Sequence, residues 1–419
     1  MIAAAGSGED VDVAVVGAGA AGLATAIFLK RRAPLAAVAL LDGAARPGAK
    51  ILVSGGGRCN VTNSVVRESD FYGAPRAAIR RVLRAFTERQ AADFFSEIGV
   101  ALREEAGGKL FPVTNKARTV LDALIGEAER LGVPVRPSWR VDDVARAEQG
   151  FRVTGARGAL VARHLVIATG GLSLPKSGSD GRGYAIAHAL GHSTVPTTPA
   201  LVPLLLAGEL HAPLSGVALD VELLIRAEGR PLQRIAGALL FTHFGISGPA
   251  ALDASRHVLR ARLESRPLRL SARFTPGSDA DAVDRTLQAI GKSRPRQRTA
   301  AALATLVPAA LAEAVPRLLA LPAVALSQLP RGERRRLAAA LAEWPLEVTE
   351  SRGYGFAEVT AGGVPLDEVD LGTMESRVCP GLFLVGEILD VDGRIGGFNF
   401  QWAWSSGFAA ARALGSALG

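Results

Sequence analysis

The sequence predicts an α/β fold in which a parallel sheet is assembled from both ends of the chain around an inserted domain. Three observations predict it. Residues 11–16 form an apolar, β-branched run of strand length that closes on Gly17-Ala18-Gly19-Ala20-Ala21-Gly22 and passes into a helical stretch. Two further buried-type runs, 165–168 and 382–385, stop at Thr169-Gly170-Gly171 and at Gly386-Glu387. Between about 196 and 352 the pattern changes to short strands followed by alanine-, leucine- and arginine-rich helices.

The opening unit is a G-x-G-x-x-G between a strand and a helix (23–31), followed by a second strand (38–41) that ends in Asp42, twenty residues beyond the last glycine. Each part has a physical task. Gly17 permits the tight turn, Gly19 admits a pyrophosphate close to the backbone, and Gly22 lets the helix pack against the strand. The helix N-terminus presents unpaired N–H groups and a positive dipole end to phosphate. Asp42 accepts hydrogen bonds from ribose hydroxyls and repels a 2′-phosphate, so this site is not expected to hold NADP. These residues predict a Rossmann-type dinucleotide domain and leave NAD and FAD both open.

The next signal is the stretch 47–63, where Gly55-Gly56-Gly57 precedes Arg58, Cys59, Asn60 and Thr62. It reads as a flexible loop rich in donors, able to wrap an anionic or carbonyl-rich ligand. Near the other end, Gly396-Gly397-Phe398-Asn399 leads into a helix over about 401–414. The insert has strand-like runs at 201–206, 218–225 and 238–241, then helices from 280 to 342. The expected organisation is therefore a dinucleotide domain from 1–195 and 353–419. Between them lies an insert at 196–352, with strands over about 196–250 and a helical subdomain over about 251–343.

Composition narrows the function classes. Two cysteines among 419 residues exclude a disulfide-stapled scaffold and a C-x-x-C redox relay. The first ten residues lack the basic and apolar segments of a signal peptide. The most apolar long stretch, 303–329, is broken by Glu313, Arg317, Pro308, Pro316 and Pro322, so no membrane span and a cytoplasmic location are expected. Net charge is +8 with a pI near 10.0, but 42 of the 48 basic residues are arginine, a compositional bias. The clusters 292–298 and 331–336 lack interleaved aromatics and read as solvated faces, so the partner expected is a small-molecule substrate and not a nucleic acid. His188 and His192, four apart on an expected helix, read as structural because no H-E-x-x-H glutamate or nearby cysteine accompanies them. Nothing in the sequence fixes an oligomeric state.

Eight blocks make the chain similar to the BaiN-like flavoproteins, the family that also includes enzymes described as aminoacetone oxidases. They are Gly-Ala-Gly-Ala-Ala-Gly at 17–22, Ser-Gly-Gly-Gly-Arg-Cys-Asn-Val-Thr-Asn at 54–63, Ala-Thr-Gly-Gly-Leu-Ser at 168–173 and Gly-Ser-Asp-Gly-Arg-Gly-Tyr at 178–184. Phe-Thr-His-Phe-Gly-Ile-Ser-Gly-Pro at 241–249 and Val-Thr-Ala-Gly-Gly-Val at 359–364 follow. The last two are Gly-Glu-Ile-Leu-Asp-Val-Asp-Gly at 386–393 and Gly-Gly-Phe-Asn-Phe-Gln-Trp-Ala at 396–403.

The resemblance implies FAD as cofactor, a glutathione-reductase-like FAD-binding domain, and an insert made of a small β-barrel plus helices. It implies that Gly17, Gly19, Ala20, Ala21 and Gly22 face the pyrophosphate and Asp42 the adenosine ribose. Lys50, Gly56, Gly57, Arg58, Cys59 and Asn60 would line the middle of the cofactor, with Val141 beside the adenine. Thr169 and Gly170 would pass close to the cofactor, and Gly386 and Glu387 would approach the ribityl chain. Gly397, Phe398 and Asn399 would set a helix N-terminus at the flavin N1–O2 edge. Lys109 and His243 are the catalytic candidates; Arg58 beside Cys59 would act to lower its thiol pKa, and a structural use of Cys59 is the reading expected. No second G-x-G-x-x-G unit follows, so NAD(P)H would serve only as a transient donor. The expected activity is FAD-dependent oxidoreduction of a small organic substrate, by reduction of an activated C=C bond or by oxidation of an amine; action on RNA is the remote alternative.

Overall fold

The computed structural model describes residues 9–419, and the chain divides into two compact units. The first comprises the chain up to Thr197 together with Glu358–Gly419; the second is Thr198–Ala357.

The centre of the first unit is a parallel sheet with strands in the order Val135–Arg136, Val38–Leu41, Glu9–Val16, Gly158–Ile167 and Leu382–Leu384. Apolar residues run along these strands because both faces are covered: Val13, Ala14, Val15, Leu40, Leu165 and Leu382 are fully buried. The register brings Val16 beside Leu41 and Ile167, and Ile167 beside Leu384. Four loops, at 17–19, 42–48, 168–171 and 385–387, therefore leave the sheet at the same carboxyl edge, where an open α/β sheet binds its ligand. The strand Gly158–Ile167 also starts a meander, pairing antiparallel with Gly150–Gly155, which in turn pairs with Val141–Ala147.

Helix Ala20–Arg32 packs along the C-terminal helix Phe398–Leu418. The approach is close enough that a Cβ on Gly407 would lie 2.9 Å from the carbonyl oxygen of Ala21. Phe28 joins the two helices to Glu88–Glu97 through ring contacts at 4.8 Å with Phe94, 5.0 Å with Phe86 and 5.1 Å with Phe408. The last helix thereby docks onto the first, which carries the 386–403 block to the G-x-G-x-x-G turn.

The second unit holds a seven-stranded antiparallel sheet whose edges are Trp344–Leu346 and Val348–Ser351. Only Glu347 separates those two strands in sequence, so one stretch of chain ends both edges and the sheet curls on itself. The long hairpin Ala218–Ala227 with Arg230–Thr242 forms its wall. The helical stretch expected over 251–343 is interrupted by a strand, Leu268–Arg273, which pairs with Ala218–Ala227. Its Leu-Arg-Leu-Ser-Ala-Arg text lies in an arginine-rich region and resembles a helix face, but Leu270, Ser271 and Ala272 are buried in the sheet. Helices Ala280–Ser293, Thr299–Leu303, Ala309–Leu318 and Arg331–Ala342 follow.

Candidate functional site: the carboxyl edge of the sheet

The turn at 17–22 is built on close backbone contact. Gly17 N–H donates to Leu41 O at 2.8 Å, and a Cβ on Gly22 would stand 1.8 Å from Gly17 O. Gly19 differs: a Cβ there would meet nothing within 4 Å, so the space in front of the helix is open. Helix Ala20–Arg32 starts with no side-chain cap and no acidic residue in its first turn, which leaves its N–H groups and positive end for an anion.

Asp42 follows the second strand. Its carboxylate accepts Ala18 N–H and Ala44 N–H, both at 2.8 Å. Loss of surrounding water pushes its pKa up, against the pull of those two hydrogen bonds. Trp139 N–H donates to Asp42 O at 2.7 Å, so the stretch leading to Val141 runs beside the aspartate; Val141 is buried and opens the meander.

The 48–63 segment is more ordered than the loop expected. Gly48 is left-handed and starts a helical turn, and Gly55, Gly56 and Gly57 hold φ of 55°, 69° and 82° in succession. Three residues of this segment differ in their surroundings. Arg58 turns away, bonded to both oxygens of Glu105 at 3.0 Å and stacked 4.0 Å over the Phe111 ring. Cys59 is fully buried and its thiol is pushed up to about 12 by burial, with a hydrogen bond from Ser54 pulling weakly the other way. Arg58 therefore does not activate it. Asn60 is buried, and its Oδ1 has no hydrogen-bond partner. A buried acceptor left unmatched costs stability on its own, so this oxygen marks a place where a ligand donor belongs.

Lys50 ties the helical turn to the far end of the chain. Its ammonium pairs with Glu387 and donates to Ser173 Oγ at 2.7 Å. Glu387 Oε1 accepts from Ser173 Oγ at 2.8 Å and from Thr360 N–H at 3.0 Å. The side chain of Glu387 thus reaches back across the loops. Glu358 has a large solvent-facing surface yet dense protein around it; loss of water raises its carboxyl pKa, while Lys50 and Lys109 pull it down. Lys109 is half-buried at the start of strand Lys109–Pro112. Ser173 and Thr360 lie in the motif blocks 168–173 and 359–364 and Glu358 just before the second, but nothing in their spacing signals that they meet.

Thr169 and Gly170 leave the third strand beside Ser179, which is buried with an unpartnered Oγ; a Cβ on Gly170 would be 2.7 Å from it. Gly386 is left-handed, and a Cβ there would sit 2.8 Å from Ala21 Cβ. Gly397, at φ 92°, caps the C-terminal helix against Thr62, where a Cβ would come within 2.6 Å of backbone. That helix also begins without a side-chain cap or first-turn acid. Phe398 is buried, and the Asn399 amide is committed to Gly393, accepting its N–H and donating to its carbonyl at 2.8 Å each. The second catalytic candidate, His243, is exposed in the other unit, edge-on to Phe244 at 5.1 Å. His192 lies beyond the end of helix Arg182–Ala189, buried between Glu368 and Ser376 at 2.7 Å each, while His188 is exposed on it.

A profile of the HI0933-like protein Rossmann domain matches residues 11–413. The chain belongs to the HI0933-like family. It is 37% identical over 416 residues to the ribosomal RNA dihydrouridine synthase of Escherichia coli (strain K12), covering 97% of this chain and 98% of that one. To the 3-dehydro-bile acid delta(4,6)-reductase of Clostridium scindens it is 32% identical, over 96% of this chain and 98% of the other. Among solved structures, an E. coli quinol fumarate reductase FrdA variant aligns with a TM-score of 0.52 at 14% identity, over 98% of this chain and 70% of that one, a likeness of fold alone.

The family resemblance in the motif blocks is thus borne out, and this HI0933-like protein is an FAD-dependent oxidoreductase with a Rossmann-type domain. The residues at the sheet edge fit FAD: an uncapped helix N-terminus with open space at Gly19, a carboxylate at Asp42, an unmatched buried acceptor at Asn60, and a second uncapped helix at Gly397. Among the described residues, no helix is long and apolar enough to cross a membrane.

Proposed function

We propose that this enzyme reduces a carbon–carbon double bond conjugated to a carbonyl, acting on a uracil base in RNA with NAD(P)H as transient electron donor. One observation carries the reading. Two relatives with unlike substrates, one named for dihydrouridine in ribosomal RNA and one for a steroid-like delta(4,6) bond, share that reaction type. The RNA relative is the more similar of the two, at 37% against 32%.

Bound FAD supplies the hydride transfer. The chain's own residues hold and orient. The N–H groups from Ala20 to Gly22 take the pyrophosphate, Asp42 the ribose, and Asn60 Oδ1 a cofactor donor. Lys50, Glu387, Ser173 and Thr360 lock four segments of the cradle together. Saturating the bond requires a hydride at one carbon and a proton at the other. Glu358, whose carboxyl pKa is raised by loss of water against the pull of Lys50 and Lys109, is the side chain proposed to hold that proton.

The test starts with the absorbance of the purified protein and anaerobic addition of NADH, then NADPH. Reduction of the flavin, followed by a gain of two hydrogens on uridine in an unmodified ribosomal RNA transcript, is the expected result. Transfer to a 3-oxo-4,6-diene steroid and not to RNA would replace the substrate. A flavin indifferent to nicotinamides and bleached by an amine would replace the reaction with amine oxidation.

A further inference from the structure

We infer that the helical part of the second unit carries the docking surface for the RNA phosphate backbone, at the turn 292–298 and the adjoining start of helix Arg331–Ala342. This rests on the reading that the substrate is RNA. The observations behind it are independent of the flavin site.

The positive charge is unevenly placed. The second unit carries 20 Lys and Arg against 14 Asp and Glu, so it holds a surplus of six out of the net +8. Within it, the stretch from 285 to 312 has five cations, Arg285, Lys292, Arg294, Arg296 and Arg298 among them, and no acid at all. All five are exposed, and none has an ion pair among the described residues. The acids nearest in the packing are taken. Asp284 is held by Arg334 at 2.7 Å and by Gln288 at 2.8 Å, and Glu333 by Arg336 at 2.6 Å.

The fold presents these cations on a firm mount. Gln297 N–H donates to Arg294 O at 3.0 Å and closes the turn. Ser327 Oγ donates to Pro295 O at 2.7 Å, and Leu326 N–H donates to Gln297 O at 3.0 Å, so the turn's carbonyls face the protein. A Cβ on Gly291 would touch Ser327 at 3.4 Å, which sets the end of helix Ala280–Ser293 beside the approach to Arg331. Arg331 and Arg335 are exposed and also lack an ion pair among the described residues. Six of these cations lack a counter-charge and Arg335 shares Asp284 with Arg334, so the cluster repels itself, a cost that a polyanion removes.

The chemistry selects phosphate backbone over other polyanionic surfaces. No aromatic side chain interrupts 292–298, so single bases have no platform to stack on, and contact is with phosphates. None of the exposed large hydrophobic residues of the chain lies between 280 and 342, so the patch lacks the apolar anchor that holds a protein in a lipid surface. Arginine suits the task because its planar fork binds phosphate oxygens in pairs.

The test measures binding by the oxidised holoenzyme, without turnover, to unmodified 16S and 23S ribosomal RNA transcripts across a salt series. Replacing Lys292, Arg294, Arg296 and Arg298 by alanine should weaken binding at least about tenfold at 0.15 M salt and flatten the log–log salt slope by about 3. Replacing Arg294, Arg296 and Arg298 by lysine should keep the slope. Replacing four exposed arginines of the first unit, Arg84, Arg89, Arg118 and Arg152, by alanine should change neither. Flavin absorbance and melting temperature report that each variant is folded. An unchanged slope in the alanine variant, or binding to vesicles of phosphatidylglycerol in place of RNA, overturns the inference. Loss of binding in that variant while wild type binds RNA but never reduces uridine would leave the surface standing and sink only the substrate reading.

Discussion

Lys50 and Glu387 stand 337 positions apart in the chain and form an ion pair, with Ser173 donating to Glu387 and accepting from Lys50. The pair bolts the helical turn after the second strand to the loop after the last. It is neither fully exposed nor fully buried, with side-chain exposures of 26% and 19%. Replacing Lys50 by methionine leaves the Glu387 carboxylate without its cation. The expected loss is about 1–2 kcal/mol, between the figures for surface and buried pairs. That is a fall of a few degrees in melting temperature, together with weaker retention of FAD. The double variant K50M/E387Q should lose less than the two single losses added together. Strict additivity in a thermal-melt cycle would mean that the pair contributes no coupling.

Gly19 and Gly22 belong to one motif and should fail in different ways. A Cβ at Gly22 collides with Gly17 O at 1.8 Å, so Gly22→Ala must displace the turn and should give protein that is unfolded or free of flavin. A Cβ at Gly19 meets nothing, and its φ of −84° suits any residue. Gly19→Ala should therefore fold with an apoprotein stability within about 0.5 kcal/mol of wild type, yet bind FAD at least about tenfold more weakly. Melting of the apoprotein and a fluorescence titration with FAD separate the two. Wild-type affinity in Gly19→Ala would place the pyrophosphate elsewhere.

Cys59 should be chemically silent. Its thiol is held near 12 by burial, so at pH 8 only about one molecule in ten thousand carries the thiolate. Cys379, also buried, is shifted in the same direction by loss of water. A thiol reagent should react with neither residue in the native protein and with both after denaturation. Rapid native labelling of Cys59 would show that the 54–63 segment opens.

What was legible in the text was local. The strand, turn and helix at 9–32 are encoded within two dozen residues, and the carboxyl ends of four of the five parallel strands are followed by glycines, at 17, 43, 170 and 386. The ion pair of Lys50 with Glu387 has no such mark, because it depends on sheet register and on the docking of the last helix. Arg58 shows the opposite failure. Its neighbours in sequence suggested a role toward the cofactor and an effect on Cys59, but Glu105 and Phe111, brought up by a separate hairpin, capture the guanidinium. The strand Leu268–Arg273 was lost for a third reason. Its period is ambiguous, and only pairing with Ala218–Ala227 decides it.

His257 on helix Pro249–Leu263 makes the stability of the second unit depend on pH. Burial chiefly, and the charge of Arg256 next, lower its pKa from 6.5 to about 4. The folded state therefore keeps the imidazole neutral between those values, while the unfolded chain binds the proton. Stability from this group is fully present above pH 6.5 and falls as the pH drops from 6.5 toward 4. Carboxylates such as Glu127 and Asp284, whose pKa values are lowered, lose their contribution only at lower pH, below their ordinary values of 4.5 and 3.8. Within the second unit the interval from pH 4.5 to 6.5 is thus governed by histidine; the carboxylates raised by burial, Asp42 and Glu358, belong to the first unit and are common to wild type and variant. Denaturant melts of wild type and His257→Gln at pH 7 and pH 4.5 isolate the effect. The variant should gain about 2–3 kcal/mol on wild type between the two pH values, whatever its fixed cost at pH 7. An equal gap at both pH values would mean that the imidazole takes up its proton in the folded state as easily as in the unfolded one.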